Sequence, residues 1–341
     1  MSHQVTIQPS GNVYSVPDAE TFLGAAIDAG LTLPYGCRNG ACGACKGKVI
    51  SGKVDYGEYQ GTALTEAEKA AGYVLFCCAK PLSEAVIECR EVSANNVIRP
   101  RIMPARVQMM EKLSHDVMAL FLKLPSNERL QFMAGQYIEF ILKDGKRRAF
   151  SLANAPHNDE FLELHLRLVP GGTFTEYVFK EMQEKAILRL EGPFGSFYLR
   201  EDSNRPIIFV AGGTGFAPIK GIIEHILHQN TEREMVLYWG AKSLEDLYMP
   251  ALPQAWAGMH PHFKFIPVLS EPLASDAWEG RTGMVHEAVL QDIADLCGHQ
   301  VYCCGAPVMV EVANAAFKEH GLPADEFFSD AFTYANPLPK G

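Results

Sequence analysis

Along the chain the spacing of apolar residues changes character twice. Near the amino end, Val5-Thr6-Ile7 and Val13-Tyr14-Ser15-Val16 alternate around the turn Pro9-Ser10-Gly11-Asn12, which predicts two short strands. Phe22, Ala26 and Ala29 recur at helical spacing, so a helix is expected over Asp18–Ala29 with Asp18 as its cap. A Gly- and Cys-rich loop over 36–47 follows, then a strand at Lys48–Ile50, a short capped helix at Thr65-Glu66-Ala67-Glu68 and a last strand at 85–90. Mixed short strands around one helix make residues 1–92 a compact α+β module. Residues 93–103 are polar and basic with a proline, and read as a linker. Strands dominate residues 104–203, at 105–110, 117–124, 136–142, 147–153, 161–168 and 187–190. Asp144-Gly145 marks a hairpin among them, and six antiparallel strands in so short a stretch suggest a small closed barrel. In residues 204–341 apolar strands at 207–211, 235–239, 263–268 and 300–303 alternate with helical stretches such as 218–228 and 307–320. That alternation predicts an α/β domain with a doubly wound parallel sheet.

Composition narrows the function classes. In 341 residues, 48% are hydrophobic and 21% charged, ordinary for a folded chain and wrong for a disordered one. No run approaches the length of a membrane span, and Met1-Ser2-His3-Gln4 lacks the basic-then-apolar pattern of an export signal, so a cytoplasmic setting is expected. The net charge of −10 argues against nucleic acid as a partner. It is uneven: −3 over 1–92, +1 over 93–203 and −8 over 204–341, which makes the middle segment the easiest place for an anionic ligand.

The nine cysteines are an odd number in a chain expected to stay in a reducing compartment, so metal or redox roles outrank a disulfide framework. Cys37, Cys42 and Cys45 are spaced C-x4-C-x2-C, and Cys77 follows after 31 intervening residues. This is the spacing of plant-type [2Fe–2S] ligation. Gly36, Gly40, Ala41, Gly43 and Ala44 would let the backbone wrap closely enough to point N–H groups at sulfur. A structural zinc site would pair the C-x2-C with a second such pair or with histidines. Cys78 adjoins Cys77; we expect Cys77 to be the fourth ligand.

Two further constellations point to nucleotide cofactors. Arg148-Ala149-Phe150-Ser151-Leu152-Ala153-Asn154 combines a guanidinium suited to a pyrophosphate, a ring to cover a flavin and a hydroxyl for the flavin edge. Downstream, Gly171, Gly172 and Thr175 belong to a glycine turn that opens a helix, whose N–H groups suit phosphate. Ile207–Ala211 runs into Gly212, Gly213, Thr214, Gly215 and then Pro218, a strand-turn-helix at which a dinucleotide pyrophosphate can sit. Cys304-Gly305-Ala306-Pro307 repeats the design at a later strand end; Cys304 reads either as a small core residue or as a thiol beside a nicotinamide.

Together these motifs resemble the ferredoxin-NADP reductase superfamily, in its branch with an N-terminal plant-type ferredoxin domain. The likeness covers residues 1–335 and rests on R-x-F-S-x-x-N at Arg148–Asn154, G-G-T-G-x-A-P at Gly212–Pro218 and C-G-A-P at Cys304–Pro307. It implies a β-grasp ferredoxin domain, an FAD-binding barrel and an NAD(P)H-binding domain. It also implies that Ser151 lies at the flavin, that Cys304 helps place the nicotinamide and that Phe332 covers the flavin. The Leu33–Cys37 entry, Cys77-Cys78, Gly135–Glu139 and Glu326–Phe332 are similar to the reductases that feed electrons from NADH to the dehydrase of CDP-3,6-dideoxyhexose synthesis. The implied partner is an electron-acceptor protein: that dehydrase or, alternatively, an aromatic-ring or alkane oxygenase component. A non-catalytic metal-binding scaffold is the reading from another class. After Met235–Trp239, Lys242 stands with Glu245 and Asp246 and no arginine, so NADH is expected over NADPH.

Overall fold

The computed structural model describes residues 2–89 and 98–333. They fall into two compact units: residues 2–89 and 98–101 with Pro193–Ser196 and Thr333 in the first, Ile102–Gly192 and Phe197–Phe332 in the second. Residues 93–97 of the expected linker lie outside the described residues, and 101–103 are already strand.

In the first unit, β1 (Ser2–Gln8) and β2 (Val13–Pro17) form the expected hairpin. The helix is shorter than its spacing predicts: α1 is Phe22–Asp28, capped by Thr21, whose hydroxyl accepts the Gly24 N–H at 3.0 Å. Asp18 lies outside the helix and faces His3 instead, at 3.4 Å. Next come β3 (Lys46–Ser51), β4 (Val54–Asp55), α2 (Glu66–Ala70), β5 (Tyr73–Leu75), β6 (Lys80–Pro81) and β7 (Ala85–Glu88). The main sheet has the order β2-β1-β7-β3-β5, with β1 and β7 parallel and its other described pairings antiparallel. α1 packs onto the unit through buried Phe22, Leu23, Ala25 and Ala26. The strands β4, β5 and β6 are too short for a period-two pattern to register.

The second unit opens with β8 (Arg101–Lys112), β9 (Val117–Lys123), β10 (Tyr137–Ile141), β11 (Arg147–Ser151), β12 (Leu162–Arg167), α3 (Thr173–Lys180) and β13 (Ile187–Phe194). The six strands order as β11-β10-β13-β8-β9-β12, and a bridge between Leu152 and Leu164 joins the two edges into a barrel. On β12 the residues alternate strictly: Leu162, Leu164 and Leu166 fill the barrel core, which turns Glu163, His165 and Arg167 outward. Then follow β14 (Ile207–Gly212), α4 (Phe216–His228), β15 (Met235–Ala241), α5 (Ala251–Met259), β16 (Phe263–Leu269), β17 (Arg281–Thr282), α6 (Val285–Asp292), β18 (Gln300–Gly305), α7 (Pro307–Glu319) and β19 (Phe327–Ala331). They build a parallel sheet of order β17-β16-β15-β14-β18-β19, with apolar cores on both faces. The chain reverses direction of travel between β14 and β18, the switch point where doubly wound sheets open a crevice.

Candidate functional site

The thiols of the first unit are gathered by backbone conformation. Arg38, Gly40 and Gly43 have φ of 61°, 73° and 73°, coiling the chain between α1 and β3 around its own cysteines. A Cβ on Gly40 would stand 2.7 Å from the Cys78 sulfur and 3.0 Å from Tyr59 Cα, so only glycine lets these segments meet. The Cys37 N–H donates to Cys42 Sγ at 3.4 Å and the Cys42 N–H to Cys37 Sγ at 3.3 Å. Amides of Asn39 and Ala41 also face Cys37, and that of Gly40 faces Cys77. The thiol of Cys42 holds Cys37 down to about 6, and Cys45, then Cys78, hold Cys77 down to about 4. Their partners Cys42, Cys45 and Cys78 are pushed up, first by those same contacts and next by burial. Converging sulfurs with amide donors aimed at them fit the donor set of a [2Fe–2S] cluster. Cys78 is drawn in as well, its sulfur 3.5 Å from that of Cys77.

In the second unit the flavin motif lies on β11 and the segment after it. Arg148 is half-buried, and its guanidinium donates to the Arg147 carbonyl at 2.8 Å. The Phe150 ring packs 5.6 Å from Phe174 and 5.8 Å from Phe140. Ser151 is buried, and its hydroxyl donates to Asp330 on β19 at 3.4 Å. Asn154 directs its side chain into the protein: its amide donates to the Asn158 carbonyl at 2.7 Å and its oxygen accepts the Glu163 N–H at 2.9 Å. Thr175 likewise holds the turn before α3, accepting the Val169 N–H at 3.1 Å. Gly171, at φ 76°, and Gly172, the N-cap without a side chain, complete that turn and leave the first amides of α3 without a side-chain cap. Asn154 and Thr175 thus spend their side chains on the local backbone, as does the Arg148 guanidinium on the Arg147 carbonyl.

The two glycine turns predicted far apart in sequence meet at the switch point. A Cβ on Gly215 would collide with the Cys304 carbonyl, and one on Gly305, whose φ is 154°, would approach Gly212 Cα to 3.1 Å. Gly212, Gly213, Thr214 and Gly215 therefore pack directly on Cys304 and Gly305, with Pro218 in the first turn of α4 and Pro307 opening α7. Trp239 fixes the turn by donating to the Gly213 carbonyl at 3.0 Å. Cys304 is fully buried, and burial, with Asp330 and Cys303 adding, keeps its thiol protonated. Phe332 is half-buried against the same apolar cluster, its N–H bonded to the Gly305 carbonyl at 2.8 Å.

Several residues here escaped the motif reading. A Cβ on Gly213 would lie 2.8 Å from the Arg167 guanidinium, which pairs with Asp116 at 3.0 Å and so sets a cation against the nucleotide turn. Beside it, His165 bonds Tyr248 at 2.9 Å and Glu163 at 2.8 Å, and Glu163 bonds Lys220 of α4 at 2.9 Å. The run Leu-Glu-Leu-His-Leu-Arg over 162–167 carries the signal, a period of two with every outward position polar.

Comparison with known proteins assigns three domains along the chain. Family models match for a 2Fe-2S iron-sulfur cluster binding domain over residues 5–82, an oxidoreductase FAD-binding domain over 104–198 and an oxidoreductase NAD-binding domain over 209–315. A CDP-6-deoxy-L-threo-D-glycero-4-hexulose-3-dehydrase reductase from Yersinia pestis is 40% identical over 97% of this chain and 99% of its own. Reductase component 2 of a Comamonas terephthalate 1,2-dioxygenase is 34% identical over 97% and 98%. Among solved structures, an Amycolatopsis cytochrome P450 reductase superposes with a TM-score of 0.82 at 34% identity, covering 98% of this chain and all of its own. Among the described residues no helix is long and apolar enough to cross a membrane.

Proposed function

The chain belongs to the branch of the ferredoxin-NADP reductase superfamily that carries an N-terminal [2Fe–2S] domain, and from that premise we propose that it serves a dehydrase of CDP-3,6-dideoxyhexose synthesis as a CDP-6-deoxy-delta-3,4-glucoseen reductase. One observation carries the choice of acceptor: identity to the Yersinia dehydrase reductase holds at 40% from end to end, above the 34–35% of the oxygenase reductases.

FAD, when bound, exchanges electrons both in pairs and singly, which reconciles a hydride donor with a one-electron cluster. The chain's own residues do the rest. Arg148 and the uncapped amides of α3 hold negative charge of the flavin nucleotide, with Phe150 and Ser151 toward its ring. Gly212–Gly215 and Arg167 receive the pyrophosphate of the reductant, Cys304 and Gly305 bound the nicotinamide end, and Phe332 covers the flavin. Cys37, Cys42, Cys45 and Cys77 hold the iron.

NADH is the reductant favoured by the segment after β15. Its one cation, Lys242, faces Glu271 at 4.0 Å, and Asp246 accepts from the Ser243 N–H and hydroxyl at 3.1 and 3.0 Å through one oxygen while the other lies 4.0 Å from Arg167.

Anaerobic NADH titration followed by visible spectroscopy tests the reading. Flavin and cluster absorbance bleached by NADH is the expected result; a colourless protein carrying zinc would return the chain to a metal-binding scaffold. Faster turnover with NADPH would reverse the nucleotide assignment. Supplying purified dehydrase or an oxygenase component then identifies the acceptor, and the oxygenase reading wins if only the second draws electrons.

A further inference from the structure

The chain buries a lysine where a leucine would cost less. Lys220 of α4 is 5% exposed, and its ammonium donates to the Ala153 carbonyl at 3.1 Å, to Glu163 at 2.9 Å and to Glu224 at 2.9 Å, which uses all three N–H groups. Burial alone would raise the Glu163 carboxyl, but His165 and Lys220 outweigh it and hold it at about 2. Burial keeps His165 neutral, so its Nε2–H serves Glu163 while Nδ1 accepts from the Tyr248 hydroxyl. A buried ion pair of this kind adds little to stability compared with well-packed apolar groups; its use is to specify one arrangement.

That arrangement joins the two nucleotide half-sites. α4 begins where the Gly212–Gly215 turn ends, so its position sets that of the turn. Gly221, the next residue, is pressed against the other half-site: a Cβ there would lie 2.9 Å from the Asn154 carbonyl and 3.3 Å from that of Leu152. Adjacent residues of one helix therefore touch the carbonyls of Leu152, Ala153 and Asn154, the segment that follows Ser151 in the flavin motif. The loop closes through Asn154, whose side chain accepts the N–H of the same Glu163 that holds Lys220.

We propose that Lys220 and Gly221 are positioning residues that lock the nucleotide-turn helix to the flavin strand, so that the two cofactor sites keep one fixed separation. This rests on the assignment of FAD and NADH to those sites. Lys220 acts through its ammonium on the Ala153 carbonyl, and Gly221 by letting α4 approach the carbonyls of Leu152 and Asn154. Misplacing two reacting groups by about an ångström costs on the order of 100-fold in rate, whereas binding at an intact turn is little changed.

The test uses the holoprotein with Lys220→Met and, because that change strands Glu163 and risks misfolding, Gly221→Ala as an independent route. In either folded variant the limiting rate of flavin reduction by NADH should fall roughly 10- to 100-fold with the NADH dissociation constant within about threefold of wild type. Amide exchange should accelerate together in residues 151–155 and 216–222, and both cofactors should still be reduced by dithionite. An unchanged limiting rate, an affinity loss as large as the rate loss, or faster exchange confined to α4 would overturn the proposal. The exchange measurement does not depend on turnover, so failure of wild type to accept electrons from NADH would count against the function and not against the coupling.

Discussion

The thiol loop of the first unit and the polar seam of the second both bury groups that ionise, and they are held by opposite means. In the loop, glycines at positive φ bend the backbone until sulfurs face one another, and Cys37 and Cys77 are drawn down while Cys42 and Cys45 are driven up. Facing sulfurs with backbone N–H groups aimed at them make this cradle fit for a cationic metal centre. In the seam, Tyr248, His165, Glu163 and Lys220 are linked donor to acceptor, and Glu224 and the Ala153 carbonyl take the remaining N–H groups of Lys220. The first region is organised to take up a ligand; the second is finished before any ligand arrives and keeps its neighbours in place.

The largest effects should come from breaking the receptor. Cys37→Ser, Cys42→Ser, Cys45→Ser or Cys77→Ser should each abolish the rhombic S = 1/2 EPR signal of dithionite-reduced protein, while flavin bleaching by NADH persists in the second unit. Cys78→Ser should keep the signal; if it loses the cluster and Cys77→Ser keeps it, the fourth ligand has been assigned to the wrong neighbour.

A smaller effect is expected at the switch point. Cys304→Ala removes a buried thiol and leaves a cavity. The limiting rate of flavin reduction should drop severalfold with FAD and cluster content unchanged, and rapid-mixing kinetics identical to wild type would return Cys304 to a packing role.

Acid separates the two regions more finely. Glu163 sits at about 2 against an ordinary value of 4.5, so its contribution to stability is present above pH 4.5 and is lost as the pH falls toward 2. In the first unit Glu68, paired with Lys46 at 2.6 Å, titrates in the same window but is largely solvated and worth less. Urea midpoints between pH 5 and 3 should therefore fall less steeply in Glu163→Gln than in wild type, and parallel slopes would show that the seam carries no such linkage. The smallest change is Thr65→Ala, which removes the capping box of α2 in the first unit and should cost about 1 kcal/mol by chemical denaturation.

Much of the site was legible because its determinants are local. Cysteine spacing states how a few consecutive residues must coil, and Gly-Gly-Thr-Gly or Gly-Ala-Pro after an apolar strand states how a turn must open a helix; both survive in the structure at the residues named. The α1 cap was misread because Asp18 and Thr21 are both competent caps; the helix starts at Phe22, which is fully buried, with Thr21 accepting the Gly24 N–H. The strand β19, which brings Asp330 to Ser151, has no alternation to betray it because it lies half-buried along its whole length.

By itself, then, the amino-acid order determined the ingredients: a thiol cradle, a flavin strand and two glycine turns, each encoded in the conformational preferences of neighbouring residues. The tertiary structure alone decided that Glu163 and Lys220, 57 residues apart, share a bond, that Gly215 backs onto Cys304, and that Asn154 turns inward. Such pairings depend on how whole strands and helices are stacked, and a side chain's partner across that distance leaves no imprint on the residues beside it.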